Sequence, residues 1–250
     1  MDARRVLEDV KDTVNAVGRA FFRAPERIAE EERRGWPFFS VYVRGRTAVL
    51  GDLTPEAGAD TIGMLPRPSV IGSLTEVTPQ ASADEMVAVF SGINAAWSRR
   101  HLADTKDPER LAELLATLVD TADGAALPLF AGWQRAPRPT DPVEAVGFLI
   151  FVFREYRGGI HFAALRACGL TLTQAIALDP NARTGRLQLT GFTDEQAAEL
   201  MAAVDQPELR AAYEQAWELT ESAVARHLRA SLTDDELAEF RDLVLALPAP

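Results

Sequence analysis

The sequence predicts a mainly α-helical protein with two small β-hairpins. Apolar residues recur at helical spacing over most of the chain. Helix-start signals are frequent, and only two stretches are typical of strand pairs around a turn. The chain has 250 residues, of which 47% are hydrophobic. This composition supports a folded core, in one large domain or two smaller ones.

Apolar periodicity and capping residues predict the helices in chain order. One apolar stripe predicts a first helix over residues 3–22, formed by Val6, Val10, Val14, Val17 and Phe21. Proline after a capping residue predicts helix starts at Thr54, Asp107 and Asp141. Capping boxes predict starts at Ser82, Thr193 and Thr233. Helices are also predicted at 25–35, 82–101, 107–122, 124–134, 207–230 and 233–247.

Two segments predict the hairpins. Residues 38–43 (FFSVYV) and 47–50 (TAVL) flank an Arg-Gly-Arg turn. Residues 173–178 (TQAIAL) and 186–190 (RLQLT) flank a longer turn with Gly and Asn. Every other periodic segment has the helical period, so the strands are expected only here.

The two hairpins have the same neighbours. Each follows a short helix that ends at glycine, Gly35 or Gly169, and precedes a helix capped by Thr54 or Thr193. This order predicts an internal duplication of winged-helix-like units, although chance similarity is an alternative. We predict four parts that pack into one compact body. They are a unit at 1–75, a helical connector at 76–139, a second unit at 140–205 and C-terminal helices at 206–250.

Winged helices suggest DNA binding, because the helix before the hairpin normally enters the major groove. Arginines at the two predicted tips could contact phosphates: Arg44 and Arg46, and Arg183 and Arg186. The preceding helices disfavour this function, since residues 25–34 hold four glutamates against three arginines and residues 160–168 are nearly all apolar. The net charge is 26 − 37 = −11. Nucleic acid is therefore a possible partner but not the favoured one.

A small-molecule site is the leading prediction. His161 follows Gly158-Gly159 at the start of a predicted helix, where the helix dipole would keep the imidazole neutral as proton donor or acceptor. If the two units face each other, His161 shares a pocket with six residues: Trp36, Tyr42, Arg46, Arg154, Tyr156 and Arg157. The alternatives are that His161 only stabilises the turn, or that the protein is a scaffold or dimerisation protein.

Several classes of function are disfavoured. The common nucleotide, zinc-hydrolase, serine-hydrolase and thiol-redox signatures are missing from the sequence. His161 and Cys168 are seven residues apart, about 10 Å along a helix, which is too far for one metal ion. No metal or cofactor is therefore predicted. The longest apolar run, residues 145–153, is about half of a bilayer span, so no membrane partner and a cytoplasmic location are expected.

Three short motifs support a resemblance to a known family. They are residues 45–51 (GRTAVLG), residues 157–170 (RGGIHFAALRACGL) and Glu218-Leu-Thr220-Glu221. Over most of its length the chain resembles an actinobacterial family of helix-turn-helix proteins, some of which lie in specialised-metabolite gene clusters. The resemblance implies a duplicated winged-helix-like fold and a link to small-molecule metabolism. It implies no established reaction, and the predicted function is a small-molecule-binding or enzyme-like protein of bacterial metabolism.

Overall fold

The computed structural model describes residues 1–180, 186–189 and 191–249, and for residues 186 and 189 the backbone only. In this part of the chain the regular structure is helical throughout. The first helices are α1 (Ala3–Phe22), α2 (Pro25–Arg34), α3 (Pro55–Ile62), α4 (Arg67–Val77), α5 (Ala83–His101), α6 (Pro108–Asp120) and α7 (Pro128–Gln134). They are followed by α8 (Pro142–Ala167), α9 (Leu172–Leu178), α10 (Arg186–Leu189), α11 (Asp194–Ala203), α12 (Pro207–Ser231) and α13 (Asp234–Leu245).

The long helix α8 is the centre of the fold. Residues 146–153 are buried on every side, as expected for a helix that is apolar all round. Around this segment α1, α5, α6, α7 and α12 form the main core. The C-terminal half of α8 forms a second core with α9 and the beginning of α12.

The predicted helix starts are confirmed. The side chains of Thr54, Asp107 and Asp141 each accept a hydrogen bond from a backbone amide in the first turn of their helix, with proline at the start. Thr193 and Thr233 form complete capping boxes. At Ser82 only the hydroxyl accepts from the Glu85 amide, and the Glu85 carboxylate pairs with Arg34 instead. These signals lie within four residues of sequence, so local chemistry is sufficient to predict them.

The first predicted hairpin is wrong. Its strands are helical turns, a π-helical turn at Val41–Gly45 and a 3₁₀ turn at Ala48–Leu50. The aromatic and β-branched residues of this segment favour strand locally, but tertiary contacts override that preference. The buried Glu31 carboxylate accepts hydrogen bonds from the backbone amides of Phe39 (3.1 Å) and Val41 (2.9 Å), and so caps the turn from the preceding helix.

The second predicted hairpin is also wrong. Residues 173–178 belong to α9, which begins with a capping box between Thr171 and Gln174, and residues 186–189 form α10. Residues 181–185 and 190 lie outside the described chain. Because the described residues contain no β-strand, winged-helix-like units with hairpins are contradicted. The inferred duplication and its four-part division stay predictions.

Gly158 and Gly159 do not precede a helix, because both lie inside α8. A Cβ atom on Gly159 would lie 2.7 Å from Cδ2 of Leu127, so this glycine allows a close approach of the loop before α7. His161 is therefore six residues before the last residue of a 26-residue helix, and the dipole at a helix start does not act on it.

The helices α3 and α4 form a compact pair joined by the short turn 63–66. They pack on each other and on Val43 through Ala59, Ile62, Val70 and Leu74. The four-residue turn between them, which contains Gly63, has the length found in helix-turn-helix motifs.

No single helix in the described ranges is long and apolar enough to cross a membrane, and although α8 and α9 together meet that criterion, they are bent by 99°.

Candidate ligand-binding site

Three arginines of the predicted site lie near one another, and we call Arg46, Arg154 and Arg157 the arginine cluster. Arg154 and Arg157 are one turn apart on α8, and His161 follows one turn later on the same side. Arg46 comes from the segment between the two helical turns that replace the first predicted hairpin. The central helix therefore fixes most of the site.

Arg46 has a full set of partners. It donates hydrogen bonds from Nε and Nη2 to the two carboxylate oxygens of the buried Glu155, at 2.8 and 2.9 Å. The guanidinium carbon is 4.9 Å from the ring centroid of Tyr42. Burial alone would lower the pKa of Arg46, but Glu155 and the Tyr42 phenol outweigh burial and raise it above the usual range for arginine. Arg46 is thus a stably paired cation.

Arg154 has no such partner. Its guanidinium lies against Gly18 of α1, where a Cβ atom would collide with it, and its carbon atom is 5.9 Å from the ring centroid of Phe22. Its buried Nε has no hydrogen-bond partner, and no carboxylate of the described residues lies at ion-pair distance. Burial lowers the pKa of Arg154, and the neighbouring Arg46 and Arg157 lower it further, against the attraction of Glu155.

Arg157 is likewise without an ion-pair partner among the described residues. Its guanidinium carbon is 4.9 Å from the ring centroid of Trp217, and its buried Nε lacks a hydrogen-bond partner. The carboxylate that attracts it, Glu221, is held by Arg4 at 2.8 Å and Lys11 at 3.5 Å. Burial therefore lowers the pKa of Arg157 despite the attraction of Glu221.

The arginine cluster has an excess of positive charge inside an acidic protein. In the described part of the chain, Glu155 is the only carboxylate that forms an ion pair with these three arginines. The whole chain has a net charge of −11. Partly buried charges are costly unless a counter-charge compensates them, so Arg154 and Arg157 are suited to bind an anion.

His161 is 7% exposed and lies beside the cluster. Its Nδ1 is 2.9 Å from Oγ1 of Thr220, and its ring centroid is 4.2 Å from that of Trp217. Burial, and then the charge of Arg157, lower the pKa of His161 to about 4. The imidazole is therefore neutral near pH 7, as predicted, but burial rather than a helix dipole is the cause.

The low pKa of His161 predicts a pH-dependent stability. Between pH 6.5 and about 4 the unfolded chain binds a proton at His161 and the folded protein does not, so the free energy of unfolding falls as the pH decreases. The loss approaches about 3 kcal/mol below pH 4. Urea denaturation across this range should show a smaller pH dependence for His161→Gln than for wild type. Identical slopes for His161→Gln and wild type would contradict the assignment.

Two other predicted site residues lie apart from the cluster. Trp36 is buried in the main core, with the guanidinium carbon of Arg34 4.7 Å from its ring centroid. Tyr156 packs against Phe130 and His227, with ring centroids 5.2 and 4.9 Å away. None of these contacts brings Trp36 or Tyr156 to the arginine cluster.

The arginines proposed to contact DNA do not lie at hairpin tips. Arg44 is buried, donates a hydrogen bond to the Gly51 carbonyl at 3.1 Å and forms an ion pair with Asp52. Arg46 belongs to the arginine cluster. Arg183 lies outside the described residues, and only the backbone of Arg186 is described.

Sequence reasoning did not assign four residues to the site: Gly18, Glu155, Trp217 and Thr220. Thr220 belongs to the motif that carries the family resemblance, which was the available signal. Gly18 follows the apolar stripe of α1, and a glycine inside a strong helix often marks a close approach of a neighbouring group. Glu155 and Trp217 have no comparable sequence signal.

Two other depressions lie in the described part of the chain, away from the arginine cluster. A depression of about 30 Å³ is lined by residues of α9 and α11 and by Arg210, and a wider open groove lies between the same two helices. His161 lines neither. No group of three or more His, Cys, Asp or Glu in the described ranges is placed to hold a metal ion.

Comparisons with known proteins identify the family. A sequence model described as a helix-turn-helix family matches residues 7–246, which is nearly the whole chain. No curated protein and no solved structure matches the chain. Helices α3 and α4 are joined by a turn of the length found in such motifs. The chain therefore belongs to this helix-turn-helix family.

Proposed function

We propose that the protein binds a small organic anion at the arginine cluster. The observation that carries this proposal is the pair Arg154 and Arg157, which are partly buried, adjacent and without a carboxylate partner among the described residues. Guanidinium groups bind carboxylates and phosphates through parallel hydrogen bonds. A ligand with such a group would supply the missing counter-charge.

The surroundings suit an organic anion better than an inorganic ion. Phe22, Tyr42 and Trp217 present aromatic rings next to the cluster, and His161 adds a neutral polar group. A pKa of about 4 makes His161 a weak base near pH 7, so we assign it to ligand binding and not to acid–base catalysis. A carboxylated or phosphorylated metabolite fits a role in bacterial small-molecule metabolism.

Thermal denaturation with added anions tests this function. Inorganic phosphate, succinate and malate are suitable probes, with sodium chloride at equal ionic strength as the control. At ten times its Kd a ligand adds about 1.4 kcal/mol, which raises the Tm of a chain of this size by about 3–6 °C. If none of the probes raises the Tm above that in chloride, the proposed function is not supported.

Substituting the arginines separates ligand binding from stability. We expect Arg154→Met to keep or raise the free energy of unfolding by about 1 kcal/mol, because it removes an unpaired, partly buried charge, and to abolish stabilisation by anions. The matched variant Arg46→Met should lower stability by about 3 kcal/mol or more, since Glu155 is then buried without its partner. Equal losses of stability in both variants would contradict the assignment of Arg154 as an uncompensated cation.

DNA binding is a second candidate, favoured by the helix-turn-helix pair α3 and α4. The exposed side of α4 carries Arg67, Ser69, Thr75 and Glu76, and Arg67 forms an ion pair with Asp60. Binding of random duplex DNA at about 50 mM salt that is lost at about 200 mM, and that Arg67→Ala weakens, would support this function. Equal affinities of wild type and Arg67→Ala would exclude α4 as the contact surface.

A further inference from the structure

We infer that His161 carries its ring proton on Nδ1 and presents Nε2 as a hydrogen-bond acceptor beside Arg157, so that the preferred ligand is an anion with a hydroxyl group near its charge. This inference rests on the proposed anion site and names the class of compound that the site selects. It follows from the contacts of one buried threonine.

Thr220 determines the tautomer of His161. Its hydroxyl donates a hydrogen bond to the Ala216 carbonyl at 2.7 Å, in the usual geometry of a threonine inside a helix, and the side chain is fully buried. A hydroxyl has a single proton, so the same oxygen can only accept from Nδ1 of His161 at 2.9 Å. If Nδ1 had no proton, Nδ1 and the Ala216 carbonyl oxygen would both be acceptors for the single hydroxyl proton of Thr220. The neutral ring therefore has its proton on Nδ1.

The other ring nitrogen then holds a lone pair. No described residue donates a hydrogen bond to Nε2 of His161, and the residue is 7% exposed. Arg157, Trp217 and Thr220 lie around the ring, and the charge of Asp179 also acts on it, so that Nε2 is the ring nitrogen without a hydrogen bond from the described residues. An acceptor thus lies one helical turn from a cation that has no counter-ion among the described residues.

This pairing selects one ligand chemistry. The guanidinium groups take a carboxylate or a phosphate, and Nε2 takes a proton donor a few ångströms away. Hydroxy acids and phosphate esters of polyols have both groups on adjacent carbon atoms. An anion without the hydroxyl still binds the arginines but leaves Nε2 without a donor, which weakens binding about fivefold to tenfold.

The tautomer can be measured without a ligand. Two-bond ¹H–¹⁵N correlation spectra of ¹⁵N-labelled wild-type protein at pH 7 distinguish a protonated Nδ1 from a protonated Nε2, and His161→Asn identifies which signals belong to His161. We expect Nδ1–H with an unprotonated Nε2. A proton on Nε2 would overturn the inference, whatever binds at the arginines.

Matched ligands test the selectivity. Calorimetry compares malate with succinate and glycerol 3-phosphate with propyl phosphate; each pair differs only in hydroxyl groups. We expect the hydroxylated member of at least one pair to bind about fivefold to tenfold tighter to wild type. In His161→Asn, whose amide can still donate to Thr220 but offers no acceptor in place of Nε2, the preference should disappear.

The outcomes separate the two proposals. Equal affinity within both pairs, abolished by Arg154→Met, keeps the proposed function and overturns the hydroxyl preference. A preference that persists in His161→Asn overturns the role of Nε2. If none of the four compounds binds, both the proposed function and this ligand class are rejected, and the tautomer remains to be judged by its own measurement.

Discussion

Replacing Glu155 with glutamine is expected to lower the free energy of unfolding by about 3–5 kcal/mol. Glu155 is 6% exposed and accepts two hydrogen bonds from Arg46. Its charge also offsets part of the repulsion between Arg46 and Arg154. Without that charge neither arginine contacts a carboxylate of the described residues.

Urea denaturation and differential scanning calorimetry measure this effect. The matched control is Glu113→Gln, which breaks an exposed ion pair with Arg110 and should cost at most about 1 kcal/mol. The double variant Arg46→Met, Glu155→Gln should be more stable than either single variant, because neither member of the Arg46–Glu155 pair is left without its partner. A loss of less than 1 kcal/mol in Glu155→Gln would contradict the importance of this ion pair.

Replacing Glu31 with glutamine should also cost about 3–5 kcal/mol. Glu31 and Arg27 form an ion pair in which both side chains are almost completely buried. The Glu31 carboxylate also holds the amides of Phe39 and Val41, and Phe39 has a positive φ of 75°, which is strained for a phenylalanine. The substitution therefore weakens both the ion pair and the cap of the following turn.

Glu32→Gln is the matched control, since Glu32 is the exposed neighbour of Glu31. This substitution should change the free energy of unfolding by at most about 0.5 kcal/mol. Besides denaturation, hydrogen exchange of the amides of Val41 and Tyr42 should accelerate in Glu31→Gln and not in Glu32→Gln. Unchanged exchange at these amides would indicate that the π-helical turn does not depend on Glu31.

Helix positions were predictable from sequence because their signals are local. Thr54, Asp141 and Thr233 each cap a helix within three residues of their own position, so no tertiary information is needed. The same rule applied to Thr171 and Gln174 would have identified α9 in place of a strand.

The segment 38–50 could not be predicted in this way. Its aromatic and β-branched residues favour a strand, and the group that makes it helical, the Glu31 carboxylate, lies eight to ten residues earlier in the chain. A glutamate inside a run of three acids gives no sign that it will be buried with Arg27. Helix capping by a distant side chain is a tertiary effect.

The candidate site was predictable only in part. Arg154, Arg157 and His161 share one side of any helix through residue 161, so their proximity follows from helical spacing. Tyr156 precedes Arg157 by one position and therefore points about 100° away. The contributions of Gly18, Trp217 and Thr220 depend on how α1 and α12 pack against α8. The spacing of residues within one helix does not predict this packing.

The unpaired arginines have a further consequence because they lie in a strongly acidic chain. At physiological salt, charges more than about 8 Å apart are largely screened, so a small anion near Arg154 and Arg157 is attracted mainly by those two groups. A polyanion extends beyond that distance and meets the field of a surface with net charge −11. We therefore expect the acidic surface to disfavour long anions at the arginine cluster more strongly than compact ones.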